Sequence, residues 1–118
     1  MKGKISVDRL PVSDEVKNEV KTLSEEIINL VHPLSIYLFG SSVRNELEKD
    51  SDLDFMVVVP NDIVNKRQIA GELYSKTSRF EHSLDFIVAT PEQLEKYKNF
   101  PYYIYRSVLQ EGIKLYEK

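Results

Sequence analysis

Apolar residues recur at helical spacing after Pro11 and predict a first helix. Ser13 is a suitable N-cap, because its hydroxyl can accept a hydrogen bond from a free backbone N–H of the first turn, and two acids follow it. One apolar stripe then continues until Pro33, which cannot extend a helix. The stripe consists of Val16, Val20, Leu23, Ile27, Leu30 and Val31. It predicts a helix that packs one face against the core.

Three short apolar runs, at residues 35–39, 53–59 and 84–89, predict three strands. Only residues 41–51 join the first two strands, which favours antiparallel pairing. A full helix separates the second strand from the third, which favours a right-handed parallel crossover. The expected fold class is therefore α/β with mixed α+β character: a small mixed sheet in the order 1-2-3, flanked by helices.

The remaining helices are predicted from spacing and from capping residues. Apolar residues between positions 62 and 80 recur at helical spacing, and Thr90 is a plausible cap for a short helix that ends at Tyr97. A last helix is expected from Pro101 through Gln110. Gly112 ends that helix, and the apolar run at 113–116 suggests that a strand follows it.

Length and composition indicate one globular domain over residues 1–118. The chain has 42% hydrophobic and 30% charged residues, which is typical of a folded domain and not of a disordered one. Its 16 basic and 19 acidic residues give a net charge of -3, so stable capture of nucleic acid or of an anionic membrane is not expected.

The chain contains no cysteine, which excludes disulfides, zinc-thiolate sites, iron–sulfur clusters and thiol nucleophiles. The first ten residues lack the apolar segment of a signal peptide, and no apolar run is long enough to span a membrane. A cytoplasmic location is the expectation.

The predicted topology brings three acids to one edge of the sheet. Asp52 and Asp54 are two residues apart and therefore point to the same side of an extended chain. Asp85 interrupts an apolar strand, where an unpaired acid is rarely tolerated. Two carboxylates about 4 Å apart repel by about 4 kcal/mol at an effective dielectric constant near 20, so a cation or a proton must offset the repulsion. Mg²⁺ suits such a site, because it binds one or two carboxylates together with substrate phosphates.

A turn that follows the first strand is the candidate phosphate-binding element. Gly40 allows close approach of the backbone, and Ser41 and Ser42 offer hydroxyls and backbone N–H groups to phosphate oxygens. Arg44 could add a cationic contact to the same phosphates. A strand-ending turn with solvated serines would have the same composition, so the significance of the turn depends on its spacing from the acids.

That spacing carries a resemblance to a known family. Gly40-Ser41, ten intervening residues and Asp52-Leu53-Asp54 reproduce the G-S-x10-D-x-D signature, and Asp85 in Leu84-Asp85-Phe86 also fits. The segment 35–89 resembles the DNA polymerase beta-like nucleotidyltransferase superfamily, and most closely its minimal nucleotidyltransferases. Asn45 departs from the pattern, since the family usually has Gly after the Arg.

The resemblance implies nucleotidyl transfer from a nucleoside triphosphate with two Mg²⁺ ions. Asp52 and Asp54 would be ligands of both ions. Asp85 would ligate the catalytic ion and help to deprotonate the attacking hydroxyl. All three acids are thus expected to be both metal ligands and catalytic residues.

The resemblance also implies a nucleotide site and a partner. Gly40 and Ser41 would hold the β and γ phosphates, with Ser42 and Arg44 as further nucleotide contacts. Minimal nucleotidyltransferases commonly accompany a HEPN-domain protein, and several are antitoxins that adenylylate a tyrosine of that partner. ATP as the donor and a partner protein as the acceptor are therefore expectations from similarity.

Three other functional classes compete with this interpretation of the sequence. A binding module with this fold could neutralise its partner by contact, with slow or absent transfer. A phospho-acceptor receiver domain is disfavoured, because residues 35–39 contain no acid at the end of the first strand. A P-loop nucleotidase is excluded, since the chain has no G-x-x-x-x-G-K-[ST] run.

Structural explanations are preferred for several other polar and aromatic residues. His32 and His82 are expected to be capping or solvated residues. The acidic stretch 46–50 is expected to be a solvated loop. A dense aromatic segment around Pro101 could be a docking surface, but Phe100 and one tyrosine are expected to pack the last helix onto the sheet. Its members are Phe100, Tyr102, Tyr103 and Tyr105.

Overall fold

Four strands form one mixed sheet in a computed structural model that describes residues 4–44, 52–63, 65–80, 82–101 and 103–118. The strands are β1 (Ser35–Phe39), β2 (Leu53–Val58), β3 (Leu84–Ala89) and β4 (Ile113–Glu117), in the order β3-β2-β1-β4. The helices of the described residues are α1 (Asp14–Val31), α2 (Lys66–Lys76), α3 (Pro91–Tyr97) and α4 (Ile104–Glu111). The predicted α/β class and the order of the first three strands are confirmed.

Strand pairing also follows the prediction from connection lengths. β1 and β2 are antiparallel, and β2 and β3 are parallel. β4 pairs antiparallel with β1 on the side away from β2, with a register shift between Ile36 and Tyr37. β1 and β2 are therefore the central strands, and β3 and β4 are the edges of this sheet.

α1 begins and ends where the sequence indicates. The Ser13 hydroxyl accepts a hydrogen bond from the backbone N–H of Val16 at 3.2 Å. His32 has a left-handed backbone (φ 52°) and its N–H donates to the Ile28 carbonyl at 2.9 Å, so it is the predicted C-terminal cap. Leu23 and Ile27 are fully buried, and burial of such side chains stabilises the fold by about 1.5–3 kcal/mol each.

The core lies on both faces of the sheet. The larger cluster joins Leu23 of α1 and Leu73 of α2 to Phe55 of β2. A smaller cluster lies on the opposite face, because successive residues of a strand point to opposite sides of the sheet. It joins Met56 of β2 to Val108 of α4. Both faces of β2 are thus covered, which explains why its apolar run is nearly continuous.

Two helices start later than predicted. α2 begins at Lys66, where the Asn65 side chain accepts from the Gln68 N–H at 3.0 Å. α4 begins at Ile104 and not at Pro101, because the N–H of Tyr103 donates to the Phe100 carbonyl in a separate turn. α3 has the predicted Thr90 cap.

The aromatic segment differs from the prediction. Phe100 is 51% exposed and Tyr103 is 47% exposed, so the expectation that Phe100 packs onto the sheet is wrong. Both rings contact Tyr97, with centroids 5.9 and 4.5 Å away. Tyr105 does pack against the smaller core cluster. The aromatic rings thus associate mainly with one another.

His82 is not solvated as predicted. Its Nδ1 lies 2.9 Å from Glu19 Oε2, and both side chains are mostly buried. The pair joins the segment before β3 to α1. The predictions for Asn45, the acidic stretch 46–50 and Tyr102 lie outside the described residues.

Candidate active site

The three acids selected from the sequence meet at one edge of the sheet. Asp54 and Asp85 are register partners on the parallel strands β2 and β3, and Asp52 lies just before β2. One carboxylate oxygen from each acid lies within 4.8 Å of the others. Because register partners point to the same face of a sheet, strand pairing itself holds Asp54 and Asp85 together.

Burial and neighbouring charges raise the proton affinity of Asp54, the central acid. The pKa of Asp54 rises from 3.8 to about 6, first because Asp54 is partly buried and then because the charges of Asp85 and Asp52 repel its own. The charge of Arg44 acts in the opposite direction. Asp52 and Asp85 are exposed. The site therefore accumulates negative charge that favours a proton or a cation.

The turn after β1 lies directly against this cluster. Residues 40–42 form a 3₁₀ turn in which Gly40 has φ 82°. A Cβ at Gly40 would overlap Asp54 Oδ2, so only glycine fits here without a shift of the carboxylate. Phe39, the last residue of β1, pairs with Asp54 of β2. This pairing places the turn that follows Phe39 next to the acids.

The other residues of the turn differ in accessibility. Ser41 is partly exposed, whereas Ser42 is fully buried and its hydroxyl donates to the Phe39 carbonyl at 3.4 Å. Arg44 is exposed, and it is close enough to lower the pKa of Asp54. Gly40, Ser41 and Arg44 are thus at least partly accessible to solvent, while Ser42 has a structural contact inside the turn.

One residue at the site was missed by sequence reasoning. Tyr74 of α2 appeared only as a member of an apolar helical stripe, but its hydroxyl donates to Asp85 Oδ1 at 3.3 Å. The same hydroxyl accepts from the backbone N–H of Phe86 at 3.0 Å. No spacing rule pairs a helix residue with a strand residue that follows eleven positions later, so this contact required the tertiary structure.

An open cavity of about 300 Å³ lies beside Tyr74. Phe80, His82 and Leu84 contribute to its walls, at the approach to β3. None of the helices in the described ranges has both the length and the apolar content that a membrane span requires.

A family comparison agrees with this geometry. The model of the nucleotidyltransferase domain matches residues 13–115, so the chain belongs to the nucleotidyltransferase domain family. This confirms the resemblance drawn from the G-S-x10-D-x-D signature. None of the curated proteins matches the chain.

Solved structures share the fold. A candidate nucleotidyltransferase from Sulfolobus solfataricus is 19% identical, with a TM-score of 0.59 over 86% of this chain and 79% of that one. A toxin–antitoxin complex with AMP-PNP contains a chain that is 22% identical, with a TM-score of 0.57 over 86% of this chain and 73% of that one. A mutant of the toxin–antitoxin complex MntA-HpeT contains another at 22% identity and a TM-score of 0.56, over 86% and 72% of the two chains. At these identities the likeness shows a common fold.

Proposed function

We propose that this chain acts as a single nucleotidyltransferase domain that transfers a nucleoside monophosphate, AMP from ATP, to a hydroxyl of a partner protein. The observation that carries the proposal is the convergence of Asp52, Asp54 and Asp85 within 4.8 Å, beside a glycine turn that leaves no room for a side chain. Membership of the nucleotidyltransferase family supports the reaction class.

The acids fit the Mg²⁺ ions that such a reaction uses. Carboxylate oxygens are the ligands that Mg²⁺ prefers. The raised pKa of Asp54 reflects first its partial burial and then the negative charge of Asp85 and Asp52, which a cation would offset. Asp52, Asp54 and Asp85 would hold two ions. When bound, the ions supply charge stabilisation to the attacking and leaving oxygens.

The residues around the acids would bind the triphosphate and position it. Gly40 allows the backbone to approach the phosphates, and the hydroxyl and N–H of Ser41 would hold the β and γ phosphate oxygens. The exposed guanidinium of Arg44 would add a cationic contact. A hydrogen bond from a charged donor to a phosphate oxygen is stronger than one from a neutral donor. Ser42 would contribute through the shape of the turn, since its hydroxyl bonds to Phe39.

The transfer step breaks one phosphoanhydride bond and forms one phosphoester bond. The acceptor oxygen forms a bond to the α phosphorus, the bond between that phosphorus and the bridging oxygen of the β phosphate breaks, and pyrophosphate leaves. Asp85 would receive the proton of the acceptor hydroxyl, a role that the family resemblance implies and that its exposure to solvent allows. Asp85 would thus act as the general base.

The acceptor that we propose is a HEPN-type toxin, which would make this chain an antitoxin. Two of the structures that share the fold are toxin–antitoxin complexes, and one of them holds AMP-PNP.

A second candidate is neutralisation of the partner by contact without transfer. The exposed rings of Phe100 and Tyr103 favour it, because exposed aromatic residues are enriched in protein interfaces. In this hypothesis the acids could be changed without loss of neutralisation.

Label transfer separates the two candidates. Purified protein, Mg²⁺ and α-labelled ATP are added to lysate of the native host, with Asp54→Asn as the test variant and Asp62→Asn, an exposed acid in a turn away from the cluster, as the matched control. A labelled protein band with the wild type and Asp62→Asn, but not with Asp54→Asn, would support transfer. Label in RNA alone would contradict a protein acceptor. If Asp54→Asn transfers no label but still neutralises the toxicity of the partner protein, contact inhibition would be favoured.

A further inference from the structure

The hydroxyl of Tyr74 joins α2 to the exposed edge of β3. Among the strands of the described residues, β3 lies at an edge of the sheet, and none of them pairs with the outer side where the N–H of Phe86 points. Tyr74 Oη accepts from this N–H at 3.0 Å and donates to Asp85 Oδ1 at 3.3 Å. A phenol can accept and donate at once, so both bonds form together.

The ring of Tyr74 is held independently of its hydroxyl. It meets Phe86 edge to face, with centroids 5.2 Å apart. Phe86 in turn stacks on Phe55 in the larger core, with centroids 5.7 Å apart. A chain of packed rings therefore runs from the core to Tyr74 and fixes the place from which its hydroxyl reaches Asp85.

Asp85 needs such a contact more than Asp54 does. Asp54 is partly buried beneath the Gly40 turn, whereas Asp85 is exposed on an edge strand. An exposed carboxylate can rotate, and fixing it only when a ligand binds costs side-chain entropy. The hydrogen bond from Tyr74 to Asp85 Oδ1 restricts this rotation in the absence of a ligand.

We propose that Tyr74 is a positioning residue that holds Asp85 in place as the third carboxylate of a divalent-cation site. The inference rests on the proposed function for the metal site, and it adds a residue outside the acids and the glycine turn. Hydrogen bonds from the outer shell of a metal site typically change metal affinity or activity by about 10–100-fold. Because Asp85 is exposed, the lower end, about 10-fold, is expected here.

The test measures binding of Mn²⁺ alone, as a probe of the Mg²⁺ site, by the loss of the free-ion EPR signal. Tyr74→Phe removes the hydroxyl and keeps the ring on Phe86. Tyr103→Phe is the matched control, because Tyr103 is exposed to a similar extent and lies in the aromatic cluster with Tyr97. We expect about 10-fold weaker Mn²⁺ binding for Tyr74→Phe and no change for Tyr103→Phe.

A double-mutant cycle distinguishes positioning of Asp85 from general support of the fold. In an Asp85→Asn background, Tyr74→Phe should cause no further loss of Mn²⁺ affinity, because the two residues act as one unit. An equal loss in both backgrounds would overturn the proposal, and so would unchanged affinity in Tyr74→Phe. Failure of the wild type to bind Mn²⁺ would overturn the metal site itself, whereas Mn²⁺ binding without nucleotidyl transfer would contradict only the proposed reaction.

Discussion

The backbone of Gly40 lies against the carboxylate of Asp54 with no space for a side chain between them. A Cβ on Gly40 would overlap Asp54 Oδ2, and the φ of 82° is one that other residues rarely adopt. The candidate phosphate turn and the central acid are therefore one packed unit. The pairing of Phe39 with Asp54 on the adjoining strands keeps the two parts in register.

Replacement of Gly40 by Ala should damage the site more than the fold. The left-handed backbone would cost about 1–2 kcal/mol, and the methyl group would displace the Asp54 carboxylate. We expect nucleotidyl transfer to fall at least about 10-fold and Mn²⁺ affinity to fall with it, since about 1.4 kcal/mol of lost stabilisation corresponds to that factor. Steady-state label transfer and Mn²⁺ titration would measure both, and wild-type values for Gly40→Ala would show that the contact has no role in the site.

The metal-free protein should gain stability from Asp54 as the pH falls. The pKa of Asp54 is about 6 in the folded chain and near 3.8 when unfolded, so ionised Asp54 opposes folding at neutral pH. This loss of folding stability decreases as the pH falls through about 6, and it is absent below 3.8, the pKa of Asp54 in the unfolded chain. Asp54→Asn should therefore be more stable than the wild type by about 1–2 kcal/mol at pH 7.5, and the difference should shrink toward pH 4.

Urea unfolding in EDTA at a series of pH values would measure this difference. Asp62→Asn is the control, because it removes an exposed acid outside the cluster. A constant difference between Asp54→Asn and the wild type from pH 7.5 to pH 4 would contradict the raised pKa.

Mg²⁺ should stabilise the protein more at neutral than at acidic pH. A cation competes with the proton for Asp54, whose pKa is about 6, so binding should weaken as the pH falls below that value. We expect the rise in Tm caused by Mg²⁺ to be clear at pH 7.5, small at pH 5 and absent in Asp54→Asn. Thermal unfolding with and without Mg²⁺ would test this, and equal rises at both pH values would indicate binding elsewhere.

Much of the fold could be predicted because the apolar patterns of the strands and the lengths of their connections indicate the same topology. The short link after β1 and the helix between β2 and β3 fix two of the three strand pairings. The two-residue spacing of Asp52 and Asp54 then follows from strand geometry. Asp85 joins them because parallel register places it opposite Asp54.

Two of the features that were missed, the place of the last strand and the partner of His82, depend on contacts distant in sequence. The run at 113–116 looks like a strand, but its place beside β1 follows from long-range pairing that no local pattern specifies. Phe100 has the hydrophobicity of a core residue, yet its ring associates with Tyr97 and Tyr103 at the surface. His82 has an ordinary surface sequence context, and Glu19 on a distant helix gives it a partner.

Gly112, between α4 and β4, offers a stability test that leaves the acids in place. A Cβ there would lie 2.5 Å from the Val108 carbonyl oxygen and 3.2 Å from that of Leu38, so the backbone at the junction of α4 and β4 would have to shift. Gly112→Ala should destabilise the fold by about 1–3 kcal/mol, the range typical of overpacking. Gly71→Ala is the matched control, because a Cβ on this residue of α2 meets nothing within 4 Å, and it should stabilise the helix by about 0.5–1 kcal/mol. Urea unfolding of the two variants should therefore give changes of opposite sign, and equal stabilities would show that β4 adjusts freely at its junction with α4.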